Sequence, residues 1–262
     1  MTQARVLDKA IIDTRPLHGG DLSEVALATL ADGRRVVIKR GPLVDVEGRM
    51  LTALAEAGAP VPQVLEVAKV QLCLSYLEES TPTPTLWRQM GRALADLHRA
   101  RGESYGWDED YAFGAVRIDN ARSDDWPAFW AERRLLSGVE SLPGDVAQRI
   151  EALARRLPDL LPKRPDPALL HGDLWSGNLL FTADAAFLID PACYVGDAEV
   201  DLAMLSLFGA PPAAFHDGYG PVPPGAEARR PIYQLWPALV HLRLFGAGYR
   251  GMVSRLLDAA GA

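Results

Sequence analysis

Three oxygen-bearing side chains lie at the ends of short apolar runs. The segment 171–178 reads HGDLWSGN and contains Asp173 and Asn178, and Asp190 directly follows the apolar run 187–189. A carboxylate at such a point can accept the proton of an attacking hydroxyl, while a second carboxylate and an amide can hold Mg²⁺, which prefers oxygen ligands. This combination predicts phosphoryl transfer from MgATP, with Asp173 as the base and Asn178 and Asp190 as metal ligands.

The spacing within this segment supports the same chemistry. His171, Asp173 and Asn178 follow the H-x-D-x-x-x-x-N pattern of kinase catalytic loops. A lone H-x-D would be better explained by a turn, with Asp190 capping a strand end. Because Asn178 and Asp190 both stand at the expected offsets, a catalytic loop is favoured over a turn.

An upstream lysine can supply the positive charge that nucleotide phosphates need. Lys39 ends the apolar strand 36–38, as the lysine of the V-A-I-K kinase strand does. Its expected partner is a glutamate on the next helix: Glu47 lies four residues before Leu51 and shares its face, whereas Glu56 lies near the helix end. The sequence therefore predicts a Lys39–Glu47 pair that orients the phosphates.

The elements that must position these residues fall into two parts. Before residue 78 the hydrophobic pattern predicts strands at 24–30, 35–39, 64–67 and 71–77 and a helix at 45–57. After residue 85 it predicts helices at 86–99, 126–139 and 146–157 and short strands at 169–170, 179–181 and 187–189. We therefore predict an α+β fold with a β-rich nucleotide-binding region 1–77, a polar, proline-rich linker 78–85 and a helical region 86–262 that carries the catalytic loop.

The overall composition narrows the class of protein. The chain has 262 residues and a net charge of −7, which gives no broad attraction to nucleic acid or anionic lipid. It has no signal-peptide pattern and no apolar run of about 18 residues that could span a membrane. Cys73 and Cys193 both lie in apolar stretches, which predicts buried free thiols and a reducing, cytoplasmic compartment. The oligomeric state is not indicated.

Other polar and aromatic residues are given structural roles. The loop 18–23 (HGGDLS) stands where a phosphate-covering loop would lie, but it lacks the G-x-G-x-x-G pattern and a plain turn explains it nearly as well. Asp201 is predicted to bind the backbone of the catalytic loop, and His98 to pack or cap at a helix end. Tryptophans at helical spacing are predicted to lie in the core: Trp126, Trp130 and Trp236.

Several segments together resemble the fructosamine/ketosamine-3-kinase family. In 170–178 a tryptophan follows H-G-D-L, and Asp190 is followed by Pro-Ala where many kinases have Phe-Gly. The resemblance continues in 196–204, in W-x-x-F-W-x-E-R-R-L at 126–135 and in L-F-G at 244–246, so it covers most of the chain.

This resemblance implies a bilobal protein-kinase-like fold, with a small β-rich N-lobe and a larger, mainly helical C-lobe. It implies the same roles for the catalytic loop and for the Lys39–Glu47 pair as the residues alone predict, with ATP and Mg²⁺ in the cleft. It adds backbone groups of Ser75 and Leu77 as contacts to adenine. The implied acceptor is a ketosamine hydroxyl, on a small molecule or a glycated amine.

The acceptor side leaves alternatives open. The chain has Asp21 where many relatives have a cysteine, and segments 110–114 and 117–120 lack the family's residues. The acidic run 108–110 could attract an amine-bearing acceptor, and Trp175 could line the acceptor side or pack in the core. An aminoglycoside, amino-alcohol or other sugar phosphotransferase is therefore the alternative function, and a nucleotide-binding pseudokinase is another.

A protein acceptor threaded through the cleft is not favoured. Only eight residues separate Asp190 from Glu199, too few for an activation segment that docks a peptide. Gly172 also stands where H-R-D kinases have the arginine that reads a phosphorylated loop.

Overall fold

The computed structural model describes residues 5–17 and 23–262. Most of the predicted loop 18–23, including Asp21, lies outside the described residues. The strands are β1 Arg5–Val6, β2 Lys9–Pro16, β3 Glu24–Leu30, β4 Arg35–Arg40, β5 Val64–Ala68, β6 Gln71–Ser75, β7 Tyr111–Phe113, β8 Val116–Ile118, β9 Ala168–Leu170, β10 Leu179–Phe181, β11 Ala186–Leu188 and β12 Tyr194–Gly196. The α-helices are α1 Val44–Glu56, α2 Pro84–Leu97, α3 Trp126–Trp130, α4 Gly144–Leu160, α5 Glu199–Leu205, α6 Ala213–Tyr219, α7 Ala226–Phe245 and α8 Arg250–Ala259.

A six-stranded antiparallel sheet in the order β1-β2-β3-β4-β6-β5 forms the N-terminal part. Strand β4 is held on both edges, with Lys39 opposite Val25 of β3 and Leu72 of β6. Side chains alternate along a strand, so Ile38 packs in the core on one face while Lys39 projects from the other face, toward α1. The sheet thus holds the Lys39 backbone rigidly.

Helix α1 packs between the sheet and the helical part of the chain. Leu51 contacts the apolar cluster of β6, whereas Met50 and Leu54 join a cluster that extends through α2 and the catalytic region. The approach to the sheet is close, because a Cβ atom on Gly48 would lie 3.0 Å from a methyl group of Val67. This packing leaves Glu47 buried between the two parts.

Three two-stranded sheets are inserted among the later helices: β7 with β8, β9 with β12, and β10 with β11. The pairing of β12 with β9 anchors the short segment after Asp190 to the strand that leads into the predicted catalytic loop, residues 171–178. Trp126 and Trp130 are fully buried, as predicted, and Trp236 is 5% exposed.

The predicted helix at 126–139 is wrong in its second half. Helix α3 ends at Trp130 and continues as a π-helix, Ala131–Leu135. Within it the guanidinium of Arg134 is completely buried, lies 4.3 Å from the ring centre of Tyr194 and donates to Asn120 Oδ1 at 2.8 Å. The wider turn coincides with a charged side chain directed into the core, which hydrophobic periodicity cannot predict.

The other predicted elements are confirmed within a few residues. No bounds were predicted for the strands β1, β2, β7, β8 and β12 or for the helices α5 to α8. The strands β7, β8 and β12 have only three residues each, too few for an alternating pattern to be recognised. Cys73 and Cys193 are both free and buried. In the described part of the chain, no helix combines the length and apolarity that a membrane span requires.

Candidate active site

Lys39 lies between two carboxylates from different parts of the fold. Its Nζ is 2.5 Å from Glu47 Oε1 and 2.8 Å from Asp190 Oδ1. Burial by itself lowers the pKa of Lys39, but the two negative charges outweigh it and hold the pKa above its usual value. Lys39 therefore stays cationic, and Glu47 is its helical partner, as predicted, whereas Glu56 is exposed.

The predicted catalytic loop, residues 171–178, follows β9 and is held from behind by Asp201. The buried carboxylate of Asp201 accepts the backbone N–H groups of His171 at 2.8 Å and Gly172 at 2.9 Å, and His98 Nε2 lies 3.2 Å away. The structural roles predicted for Asp201 and His98 agree with these contacts. His171 Nε2 donates to Ile189 O at 2.9 Å, which ties the loop to the strand before Asp190.

Gly172 is required by the shape of this loop. Its φ is +82°, in the left-handed region, and a Cβ atom would lie 2.0 Å from the carbonyl oxygen of Ala192. Two backbone segments therefore approach so closely that no side chain fits between them, and the segment after Asp190 is packed against the loop that carries Asp173.

Asp173 and Asn178 are joined by hydrogen bonds. Asn178 Nδ2 donates to Asp173 O at 2.7 Å and to Asp173 Oδ2 at 2.9 Å. Burial raises the pKa of Asp173 to about 7, with the Asn178 hydrogen bond acting in the opposite direction. The two bonds use both hydrogens of the amide, so the Asn178 oxygen is the atom left to ligate a cation.

Asp190 has the left-handed φ of +55°, which is rare outside glycine. Its carboxylate is one-third exposed and lies in the same cavity as Asn178. Among the described residues no group of three or more acidic, histidine or cysteine side chains could hold a metal. One carboxylate and one amide oxygen nevertheless fit Mg²⁺, because this ion usually combines one or two protein ligands with substrate phosphates and water.

Two cavities meet at Lys39 and Asp190, the residues that line both. One, of about 440 Å³, lies beneath the sheet and is lined by Val37, Ser75 and Leu77; we call it the sheet cavity. The other, of about 240 Å³, is lined by both Asp173 and Asn178 and lies against α7; we call it the α7 cavity. A molecule in each cavity would therefore meet the other at the Lys39–Asp190 pair.

The predicted adenine contacts lie at the wall of the sheet cavity. Ser75 and Leu77 both line it. The N–H of Ser75, however, donates to Gln63 O at 2.9 Å, and its hydroxyl accepts the N–H of Gln63. The N–H of Ser75 is therefore engaged within the protein and is not available to a ligand.

The α7 cavity has aromatic walls that the sequence predicted only in part: Trp175 and the segment 110–114 were expected on the acceptor side. Trp175 lines it with 38% of its surface exposed, as do Tyr111 and Phe113 of β7. Helix α7 adds Trp236, which was assigned to the core, and Phe245, which was noted only within the L-F-G resemblance. Their proximity to Asp173 depends on how α7 packs, so no local sequence pattern could have predicted that these two residues line the cavity.

The acidic run 108–110 does not offer free negative charge, contrary to the expectation. Asp108 pairs with Arg122 at 2.6 Å, Glu109 with Arg49 at 2.6 Å and Asp110 with Arg117 at 2.5 Å. None of the three lines the α7 cavity.

Asn120, expected near the acceptor, is also part of the scaffold. It is 1% exposed, donates to Glu109 O and accepts from Arg134.

Comparisons with known proteins agree with this arrangement. The family model described as fructosamine kinase matches residues 2–260. A probable ketoamine kinase of Thermus thermophilus is 40% identical over 94% of this chain and 93% of its own length, and one of Staphylococcus aureus is 31% identical over 95% and 93%.

Solved structures show the same fold. A candidate fructosamine-3-kinase of Thermobifida fusca has a TM-score of 0.89 at 34% identity, covering 96% of this chain and 94% of that one. An ADP-bound aminoglycoside phosphotransferase has a TM-score of 0.59 at 18% identity, covering 95% and 93%, and shows the fold alone. The fold is therefore the mixed helix-and-sheet fold of protein-kinase-like phosphotransferases. Because the family match spans nearly all of the sequence, the chain belongs to the fructosamine kinase family and is an ATP-dependent phosphotransferase.

Proposed function

We propose that this enzyme transfers the γ-phosphoryl group of ATP to a hydroxyl of a ketosamine. The observation that carries the proposal is the meeting of the two cavities at Lys39 and Asp190. A nucleotide in the sheet cavity would direct its terminal phosphate toward an acceptor in the α7 cavity. Such alignment of donor and acceptor is the main catalytic requirement of phosphoryl transfer.

In this proposal the two parts of the chain act as two lobes around the nucleotide. Region 1–77 is the nucleotide-binding lobe, 78–85 the linker and 86–262 the lobe that carries the catalytic loop. Lys39, held by Glu47, would contact the phosphates, and Ser75 and Leu77 would contact adenine. For Ser75 we propose the carbonyl, since its N–H is engaged by Gln63.

The metal would be held by Asp190 and Asn178. Mg²⁺ at this position would neutralise charge on the phosphate oxygens. Asn178 is suited to this role because its bonds to Asp173 leave the amide oxygen free. Asp190 is suited because its carboxylate lines both cavities.

Asp173 would be the catalytic base. The acceptor oxygen forms a bond to the γ-phosphorus, the bond between that phosphorus and the bridging oxygen of ADP breaks, and the hydroxyl proton passes to the Asp173 carboxylate. A carboxylate whose pKa is about 7 is well matched to accept a proton near neutral pH. The bond from Asn178 would keep its carboxylate oriented toward the acceptor.

The acceptor assignment has two supports. The curated relatives are named probable ketoamine kinases. The partly exposed indole of Trp175, two residues after Asp173, offers a flat surface for the C–H face of a sugar. An aminoglycoside is less well supported, because a polycation needs free acidic groups and the run 108–110 is neutralised by arginines. The buried free thiols support a reducing, cytoplasmic compartment.

The test is a parallel acceptor screen at saturating MgATP. Fructose-lysine, ribulose-lysine, an aminoglycoside and choline are compared by ADP release, with Asp173→Asn as the inactive control. We expect at least one ketosamine to exceed the background without acceptor. If another acceptor does so and neither ketosamine does, the assignment is wrong and only the phosphotransferase class remains.

A further inference from the structure

A row of aromatic rings begins at Trp175, and three of its members, Trp175, His241 and Phe245, line the α7 cavity. The ring centres of Trp175 and Phe208 are 6.1 Å apart, those of Phe208 and His241 4.9 Å, and those of His241 and Phe245 5.4 Å. Tyr249 lies 5.0 Å from His241. These five residues form a continuous surface that we call the aromatic shelf.

The shelf is unusually open to solvent. Three aromatic side chains are among the exposed large hydrophobic residues of the described ranges: Trp175 at 38%, Phe208 at 39% and Phe245 at 52%. All three belong to the shelf. Exposed aromatic surface that is continuous with a cavity typically marks a ligand-binding surface. The shelf is therefore a candidate binding surface beside the α7 cavity.

The charges of the α7 cavity limit what that occupant can be. Among the described residues that line it, the acidic ones are Glu47, Asp173 and Asp190, and Lys39 is already paired with two of them. His241 uses its Nδ1–H to donate to Pro237 O at 2.8 Å. A carboxylate brought close to Asp173 would thus meet like charge, whereas a protonated amine would meet opposite charge.

We propose that the aromatic shelf binds the substituent carried by the acceptor's amine, and that the enzyme favours substituents that are apolar and have no carboxylate beside the amine. This inference rests on the proposed ketosamine function. With the reacting hydroxyl beside Asp173, the amine lies only a few bonds away on the sugar. Its substituent must then leave the cavity past Trp175, over Phe208 and Phe245.

The charge limit is tested with a matched pair of acceptors, the fructose adducts of glycine and of glycinamide. They have nearly the same size and differ in the carboxylate. We expect kcat/KM to be about tenfold or more higher for the glycinamide adduct. In a partly buried site, the repulsion between the carboxylate of the glycine adduct and that of Asp173 is worth at least this factor. Equal values for the two acceptors would overturn the charge argument.

The shelf itself is tested with the fructose adducts of benzylamine and methylamine. For Phe245→Ala and Phe208→Ala we expect KM for the benzylamine adduct to rise about three- to tenfold, with little change in kcat. This is the change in affinity that the loss of one contact between two aromatic rings produces. KM for the methylamine adduct should rise less. Val70→Ala truncates an exposed apolar side chain in the β5–β6 turn and should leave both values unchanged.

Melting temperatures of the variants check that they are folded. Preserved turnover of both ketosamines with no change in their KM ratio would overturn the shelf assignment while leaving the proposed function intact. If the wild-type enzyme phosphorylates no ketosamine at all, the proposed function and the shelf assignment both fail.

Discussion

The ammonium group of Lys39 lies 2.8 Å from the carboxylate of Asp190, although the two residues are 151 positions apart in the sequence. The same ammonium contacts Glu47 of α1. One cation thus joins the sheet, α1 and the segment after β11. These contacts depend on how the sheet and the helical part of the chain pack together, so they bear on stability as well as on the proposed catalysis.

Lys39→Met should lower the free energy of unfolding by about 3–5 kcal/mol, because it leaves the buried Glu47 carboxylate without a cation. It should also abolish ATP-dependent turnover. The double variant Lys39→Met/Glu47→Leu removes the orphaned charge and should recover much of the stability but none of the activity. Urea denaturation and ADP release measure the two effects. A single variant as stable as the wild type would show that the pair is not buried as described.

Asp173→Asn should lower kcat by about 10²-fold or more, because it removes the proposed base while keeping the size of the side chain. ATP affinity should stay close to that of the wild type, since Asp173 lines the α7 cavity and not the sheet cavity. Single-turnover kinetics and nucleotide titration measure the two quantities separately. Near-normal turnover would exclude Asp173 as the base.

Asp190→Ala should weaken the binding of ATP in the presence of Mg²⁺ far more than in its absence, because it removes the only carboxylate proposed to ligate the metal. Asp217→Ala removes an exposed carboxylate, paired with Arg88 on the surface, and serves as the control. Nucleotide titrations with and without Mg²⁺ give the comparison. If the Asp190 variant retains the full Mg²⁺ effect, the metal is held elsewhere.

Asp201 predicts a dependence of stability on pH. Burial by itself raises its pKa, but the hydrogen bond and charge of His98, with the N–H groups of the catalytic loop, lower it below the usual value. A carboxyl whose folded-state pKa is depressed contributes stability above its unfolded pKa of about 3.9, and loses it as pH falls toward the folded value. Wild-type stability should therefore fall below about pH 4 in part because Asp201 takes up a proton.

The variant Asp201→Asn isolates this contribution. At pH 7 it should be less stable by about 2–3 kcal/mol, since charge-assisted hydrogen bonds are lost, and its own stability should fall less on acidification. Asp217→Asn, at an exposed site, should change stability by less than about 0.5 kcal/mol. Unfolding curves between pH 3 and 7 give the comparison, and parallel pH profiles of Asp201→Asn and wild type would contradict the assignment.

Gly172→Ala and Gly33→Ala separate close backbone packing from conformational strain. Both glycines have φ near +80°, but a Cβ on Gly33 meets nothing within 4 Å, whereas one on Gly172 lies 2.0 Å from Ala192 O. Gly33→Ala should cost about 1–2 kcal/mol, the penalty of the left-handed conformation. Gly172→Ala should cost clearly more and should also lower kcat, because it displaces the loop that carries Asp173. Equal melting temperatures for the two variants would contradict this difference.

The sequence by itself predicted the α+β class, most strands of the large sheet, and the loop on which Asp173 and Asn178 lie together. These are local properties: alternating hydrophobicity predicts strands, and the H-x-D-x-x-x-x-N spacing places Asp173 and Asn178 on one loop. Helical periodicity likewise predicted that Glu47 lies on the same face of its helix as Leu51, toward Lys39, because residues four apart share a face.

Only the tertiary structure decided which distant groups share the site. The aromatic wall from α7 and the Lys39–Asp190 contact both join residues far apart in the sequence. The run 108–110 has the negative charge that the sequence predicts, yet it is neutralised by Arg49, Arg117 and Arg122, which only the fold brings within reach. Periodicity describes the face that one element presents, whereas packing determines what that face meets.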